Sequence, residues 1–375
     1  MPYSSSNVCL FIINGLGMGN CTRCDAIIEN LLKSNVEIHV LTCGNGIKYF
    51  ESNKSIASLT SMESFHYGSK GGKLSIRQTI LSLPQYYKTY KSKTQQLIML
   101  LEKIKPHIAV TDSEYAVLPL KKLKIPIIGL NNSEVIVTEY LRRNNLPKSI
   151  RFQFWFVEFL DYIYHRLVCD HIISPSINPI PVRNSKFYRV GLIVRNKVLD
   201  ISRVTKFPHN NQEDPFNLVV MLSGSEFASH INFDSYDLPC KVEVVGRTGL
   251  NRGQIVYHGR LWDNTKKLDN ADTLVINGGF SAVSEALVLK KYTLVIPVPG
   301  HAEQYINAVL LQESGWGEIT SEEDVVGRLK NLFESGWEDI NGKAKLEVNG
   351  NGAKEAAGKI LSIFKLLTMD FLLFF

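Results

Sequence analysis

The sequence predicts an α/β protein built from two consecutive Rossmann-like domains, each on a parallel sheet. Three observations carry this. Short apolar runs alternate with helix-forming stretches along the chain, the pattern of βαβ units. The series restarts near Asn217, after a polar stretch Asp200–Pro215 rich in Asn, His and Pro that reads as a connection. The 375 residues also exceed what one hydrophobic core usually organises. The division expected is 1–195 and 196–375, with the last helix packing back on the first domain.

In order, Val8–Ile13 (VCLFII) reads as a buried first strand, followed by a glycine loop and a helix over Thr22–Ser34. Glu37–Thr42 (EIHVLT) is the second strand. A helix over Ser75–Ile104 leads to the strands His107–Thr111 and Pro126–Leu130. Residues 151–168 (RFQFWFVEFLDYIYHRLV) are dense in aromatics, but Arg151, Glu158, Asp161 and Arg166 argue against a membrane span. A core or interface helix is the default there, and an acceptor-side or membrane-contacting helix is the sharper reading. The second series comprises Asn217–Leu222, Lys241–Val245, Ile255–Tyr257, Thr273–Ile276 and Thr293–Pro297. No short-period repeat appears.

Composition, with 45% hydrophobic and 21% charged residues, is that of a soluble globular protein. The N-terminus lacks a basic region and runs straight into a strand pattern, unlike a signal peptide. Six cysteines without disulfide spacing suit a reducing cytoplasm. Cys21 and Cys24 form a CxxC, read as small residues in a tight loop because no second pair accompanies them. Charge is uneven. Residues 1–190 carry 23 Lys and Arg against 13 Asp and Glu, whereas the remainder carries 19 against 23. A basic front half suits an anionic partner or simply a solvated face. Nucleic acid is disfavoured, since no RNP-type, zinc-finger or helix-turn-helix pattern accompanies the charge.

Two loops carry the chemistry. The front loop, Asn14-Gly15-Leu16-Gly17-Met18-Gly19-Asn20, follows a strand and opens a helix, where backbone N–H groups approach an anion or sugar closely. A dinucleotide fingerprint fails because the third glycine comes one residue early, and a P-loop fails because no Gly-Lys-Ser/Thr follows. The segment Thr273–Gly317 is more telling. Its first strand ends at Asn277, Gly278-Gly279 permits a tight turn, and Ser281 stands where a helix N-cap is expected. Such a helix start suits a diphosphate. Glu285 follows one turn along, placed either to accept from ribose hydroxyls or to complement the dipole. After the next strand, Pro297-Val-Pro-Gly300 forms a loop, and Glu303-Gln304 offers a carboxylate and an amide to sugar hydroxyls.

This arrangement resembles the donor-binding domain of GT-B glycosyltransferases, most closely the UDP-glycosyltransferases and the related MurG family. The shared pattern is a Gly-Gly or Gly-x-x-Ser turn, a Glu on the following helix, a Pro-containing strand end, then Glu/Asp-Gln and Asn-Ala. Here these are Gly278, Gly279, Ser281, Glu285, Pro297, Glu303, Gln304, Asn307 and Ala308. The resemblance implies two Rossmann-like domains facing across an interdomain cleft. It further implies that the turn binds the donor diphosphate, Glu285 the ribose, and Glu303 with Gln304 the sugar. Ser223-Gly224-Ser225 looks like the family's other phosphate-side loop, and His258-Gly259-Arg260-Leu261 like the stretch whose backbone meets the base. Gly15, Gly17, Gly19 and Arg23 match the family's Gly-x-Gly-x-Gly-His-x-x-Arg, and Tyr188–Arg195 looks like the hinge-side approach to the second domain.

The match departs at one position. The family commonly uses the His of that loop as the base, and here Asn20 stands in its place; an amide can orient an acceptor but cannot take its proton. Asp112 and Glu114, after the strand His107–Thr111, are the substitutes expected, with turn-capping as their structural alternative. His66 and His301 are further candidates. No Asp-x-Asp is present, so neither a metal nor a separate cofactor is implied. The implied activity is inverting transfer of a hexosyl group from a nucleotide-sugar, expected to be a UDP-sugar, to a glycan, lipid-linked or small-molecule acceptor held by the basic domain. A UDP-sugar epimerase and a catalytically weak sugar-nucleotide-binding protein are the rivals. The apolar tail Lys359–Phe375 reads as a packing helix, with peripheral membrane contact of a cytoplasmic protein as the alternative.

Overall fold

The computed structural model describes residues 7–64, 69–70, 73–74, 83–180, 186–204, 216–222, 240–335 and 346–373. The chain divides into two compact units. The first comprises Met1–Val135, Leu160–Ile193 and Asn351–Phe375, and the second Ile136–Phe159 and Val194–Gly350. Against a single cut after residue 195, the segment 136–159 sits with the second unit and the C-terminal segment with the first. The expected connection Asp200–Pro215 begins as the end of a helix, Asn196–Val204, and residues 205–215 lie outside the described residues.

The first unit is a Rossmann-like layer built on strands β1 (Val8–Ile13), β2 (Glu37–Thr42) and β3 (Ser58–Ser61). A separate antiparallel pair, β4 (Ser69–Lys70) and β5 (Lys73–Leu74), follows. The main sheet then continues with β6 (Ile108–Asp112), β7 (Ile127–Leu130), β8 (His171–Pro175) and β9 (Phe187–Val190). Its order is β3-β2-β1-β6-β7-β8-β9, with every pair parallel. Both faces are buried, as a parallel sheet flanked by helices requires. Cys9, Phe11 and Ile13 of β1 face one core, shared with helix Met18–Leu32 and with Ala353, Ala356 and Ile360 of the last helix, Gly352–Leu373. Leu10 and Ile12 alternate onto the other face, against Leu97 and Leu101 of helix Leu83–Ile104. That side-chain alternation explains why VCLFII is apolar throughout.

The helix expected over Thr22–Ser34 starts earlier, at Met18, with Gly17 as its N-cap in extended conformation. Gly15 is dictated by packing: a Cβ there would lie 1.9 Å from the Cys43 carbonyl oxygen and 2.7 Å from the Gly46 nitrogen. The CxxC lies on that helix with both thiols buried and free, and burial raises their pKa, that of Cys21 to about 12. Such thiols stay protonated and pack as small apolar groups.

The second unit carries β10 (Asn217–Met221), β11 (Lys241–Val244), β12 (Ile255–Tyr257), β13 (Thr273–Ile276), β14 (Tyr292–Val295) and β15 (Gly317–Ile319). The order is β12-β11-β10-β13-β14-β15, again all parallel. Leu218, Val220, Val242, Val244, Val275 and Leu294 form its core with Val325 and Leu329 of helix Val325–Ser335. In the aromatic stretch, helix Arg151–Gln153 passes through a π turn, Phe154–Glu158, into helix Phe159–Val168. No helix among the described residues is long and apolar enough to cross a membrane.

In the first unit, the end of β6 is fixed to helix Met18–Leu32 by a buried ion pair. Arg23 donates through Nε (2.6 Å) and a terminal nitrogen to the two oxygens of Asp112, which is fully buried. Breaking one half of such a pair leaves an uncompensated charge in the core. Arg23→Met is therefore expected to cost about 3–5 kcal/mol in urea unfolding, and Arg23→Met with Asp112→Leu to recover most of that loss.

Candidate functional site

The second unit supplies the better-built site. At the end of β13, Asn277 Nδ2 donates to the Ile296 carbonyl (3.1 Å), holding the mouths of β13 and β14 together. Gly278 follows with φ +83°, a conformation that side chains resist. A Cβ there would also fall 2.7 Å from the Gln304 carbonyl oxygen. Gly279 is the N-cap of helix Phe280–Val288. Ser281, expected at the cap, instead lies inside the first turn. A glycine pair lets the backbone itself face a ligand at the positive end of the helix.

Asn307 was expected to meet the donor. Its side chain is fully buried, and Nδ2 donates to the Gly278 carbonyl (3.1 Å), so it braces the turn from behind. Gln304 divides its work: Oε1 accepts from Val298 N (3.0 Å), which fastens the Pro297–Gly300 loop. His301 is the N-cap of helix Ala302–Glu313, with Nδ1 accepting from Gln304 N. Burial lowers its pKa, opposed by the charge of Glu303, so the imidazole is neutral at pH 7. Glu158, His301 and Glu303 bring ligand atoms within 4.8 Å of one another. Gln153 ties this group together, accepting from Ala302 N (2.8 Å) and donating to Glu158 (2.6 Å).

Glu285 lies on the buried side of its helix and meets Arg195, which donates from Nε (2.7 Å) and a terminal nitrogen (2.9 Å) to its two oxygens. The same guanidinium reaches Asn264 Oδ1 (2.6 Å). Each carboxylate oxygen has a second lone pair, so the ion pair orients Glu285 without exhausting its capacity to accept. The sequence shows Arg195 only as part of the hinge-side approach, because nothing local links it to a carboxylate 90 residues away. Gln153 and Glu158 leave no signal for the same reason, since the sequence presents them only as part of an aromatic helix.

After β12, Gly259 has φ +61°, Arg260 is exposed and Leu261 half-buried. His258 Nε2 lies 2.7 Å from Glu243, which also meets Lys241 and Lys267. Burial alone would raise the Glu243 pKa, but hydrogen bonds from Lys241, Lys267 and His258 bring it down to about 2. Ser223, Gly224 and Ser225 lie outside the described residues, as does His66.

In the first unit, Gly17 and Gly19 open helix Met18–Leu32, and Asn20 Nδ2 donates to the Asn14 carbonyl (3.1 Å), closing the glycine loop on itself. The two carboxylates expected as bases are corrected by their surroundings. Asp112 is sealed in the Arg23 ion pair and accepts from the Cys24 thiol. Glu114 is 1% exposed, 2.7 Å from Lys93 Nζ, and accepts from the N–H groups of Tyr115 (3.0 Å) and Ala116 (3.3 Å). Both hold the β6 turn in shape, the turn-capping alternative.

The family described as Glycosyl transferase family 1 matches residues 8–333. An uncharacterized glycosyltransferase of Methanosarcina acetivorans is 26% identical over 343 residues, covering 83% of this chain and 85% of the relative. One from Methanosarcina mazei is 21% identical over 369 residues, covering 87% and 90%. Among solved structures, MurG of Acinetobacter baumannii superposes with TM-score 0.59 at 14% identity, covering 95% of this chain and 99% of that one. UGT89C1 of Arabidopsis thaliana complexed with UDP gives 0.57 at 12%, covering 94% and 99%. At such identity these two structures speak for the fold, which is GT-B.

Two outcomes follow from the site's construction. Gly278→Ala places a Cβ against the Gln304 carbonyl in a strained conformation. A loss of about 1–3 kcal/mol is expected in urea unfolding. The folded-state pKa of Glu243 lies below its unfolded value. Its stabilisation is thus present above about pH 4.5 and lost as pH falls toward about 2; Glu243→Gln should shallow the acid decline of the melting temperature over that window.

Proposed function

The chain belongs to glycosyl transferase family 1, and on that premise we propose that it transfers a hexosyl group from a UDP-sugar to an acceptor hydroxyl with inversion and without a metal. The observation that carries this reading is the turn Asn277–Gly279, set on a helix N-terminus and braced by Asn307, with Glu285 oriented by Arg195 on the same helix. The helix start stabilises the charge that develops on the leaving diphosphate. Glu285 accepts from the ribose hydroxyls through its remaining lone pairs. Glu303 and the amide nitrogen of Gln304 read the sugar, while Gln304 Oε1 holds the loop.

Inversion requires the acceptor oxygen to attack the anomeric carbon opposite the leaving diphosphate, with loss of the acceptor proton. Asn20 cannot receive that proton, and Asp112 and Glu114 are committed to buried cations. We assign it to His301 in the group Glu158, His301 and Glu303: Nδ1 takes the proton as its 3.5 Å bond from Gln304 N is released, and the Glu303 carboxylate balances the charge of the imidazolium that forms.

The test is UDP-sugar turnover with acceptor extracts, alongside UDP calorimetry. His301→Asn is expected to lower turnover by about 10²–10⁴-fold while UDP affinity stays within about threefold. Glu285→Ala is expected to weaken UDP binding, and unchanged affinity would remove the ribose assignment. Activity should survive EDTA; a loss restored by a divalent ion would place a metal on the Glu158–His301–Glu303 group instead. Epimerisation without acceptor would overturn transfer, and tight UDP binding without transfer or hydrolysis would identify a binding protein.

A further inference from the structure

The segment 148–157 of the second unit carries an apolar face that its own fold does not cover. Phe152 is 55% exposed, Trp155 41%, Phe156 61% and Val157 45%. The π turn accounts for this run. Phe154 is buried, stacked on Tyr140, and Glu158 is buried on Gln153, so the three residues between these anchors face solvent. Phe152 and Phe156 stack on each other at 4.5 Å and make the exposed face continuous. Large exposed aromatics clustered on one helical turn mark a contact surface.

Charge identifies what the surface fits. The exposed charged residues of the segment 136–159 are Arg142, Lys148 and Arg151, all basic, whereas Glu139 pairs with Arg142 and Arg143, and Glu158 is buried. Among the described residues no carboxylate is paired with Lys148 or Arg151. Exposed aromatics flanked by unpaired cations match the headgroup region of an anionic bilayer, where ring and ammonium or guanidinium are both satisfied.

We propose that Lys148, Arg151, Phe152, Trp155 and Phe156 dock this protein on an anionic lipid surface. The opposite side of the same segment holds Ala302 and Glu158 through Gln153, so lipid contact and the sugar-reading loop share one short helix. A lipid-borne acceptor would meet that loop at the bilayer surface.

The experiment is co-sedimentation of the full chain with vesicles of phosphatidylcholine alone and of phosphatidylcholine with phosphatidylglycerol, at low and high salt. Wild type is expected to bind the anionic vesicles, with binding falling as salt rises and Trp155 fluorescence shifting to the blue. Lys148→Glu with Arg151→Glu should weaken binding at least about tenfold. Trp155→Ser with Phe156→Ser should do the same, with thermal melts and UDP affinity confirming that both double variants fold. No wild-type binding to anionic vesicles, or equal binding by both double variants, overturns the proposal. So does a concentration-dependent dimer that Trp155→Ser with Phe156→Ser abolishes, which would put a second copy of the chain on this face.

Discussion

The close approach of Gly278 to the Gln304 carbonyl is the constraint on which the candidate site depends. The turn after β13 and the first turn of helix Ala302–Glu313 come within van der Waals contact there, and only a residue without a Cβ allows it. Asn307 then secures the contact by donating to the Gly278 carbonyl, and Asn277 by donating to Ile296. Through these contacts the helix start at Phe280 and the first turn of helix Ala302–Glu313, which carries Glu303 and Gln304, are joined into one surface. Ligands bind open parallel sheets at the carboxyl ends of their strands, and this surface lies at two such ends.

The same economy governs polar groups elsewhere. Arg195 orients Glu285, and Gln153 links Ala302 to Glu158; in both, a half-buried side chain from a distant segment fixes the direction of a carboxylate or a loop. In the first unit, equivalent care is spent on shape alone. Arg23 and Lys93 neutralise Asp112 and Glu114 at the end of β6, and the carboxylates that a sequence reader would enlist for catalysis are thereby used to hold a turn. Asp112 and Glu114 are sealed from solvent beside these cations, and protonating either would leave its buried cation uncompensated.

What the sequence disclosed divides along the same line. Strands buried on both faces were legible, because VCLFII is apolar throughout and TLVI is apolar after Thr273. β3 and β15 were missed as short edge strands with polar or glycine residues, and β8 and β9 because HIISP and FYRV resemble loop and hinge sequence. The glycine turn and the Glu and Gln that follow it were legible as local spacing. Whether a residue faces a ligand or braces the backbone was not. Asn307 and Glu285 sit at motif positions of equal weight, yet one is sealed beneath the turn and the other is an oriented carboxylate. Arg195, Gln153 and Glu158 leave no local trace, since their partners lie as far as 149 residues away.

Asn20 shows how the two kinds of reading limit each other. Its position marks it as the residue in place of a base, and its chemistry excludes it from that role. The structure gives it a different task, because its amide closes the glycine loop onto the Asn14 carbonyl. With Asp112 and Glu114 also committed, the titratable group proposed for the proton is the one around His301, beside the Pro297–Gly300 loop. That group is held by the helical segment whose far side exposes Trp155 and Phe156. A chain that moved its proton acceptor to this segment would make its chemistry depend on a part of the molecule that also faces outward. Acceptor delivery and proton removal would then be governed by one short element, Arg151–Glu158, whose π turn sets both the buried carboxylate and the exposed rings.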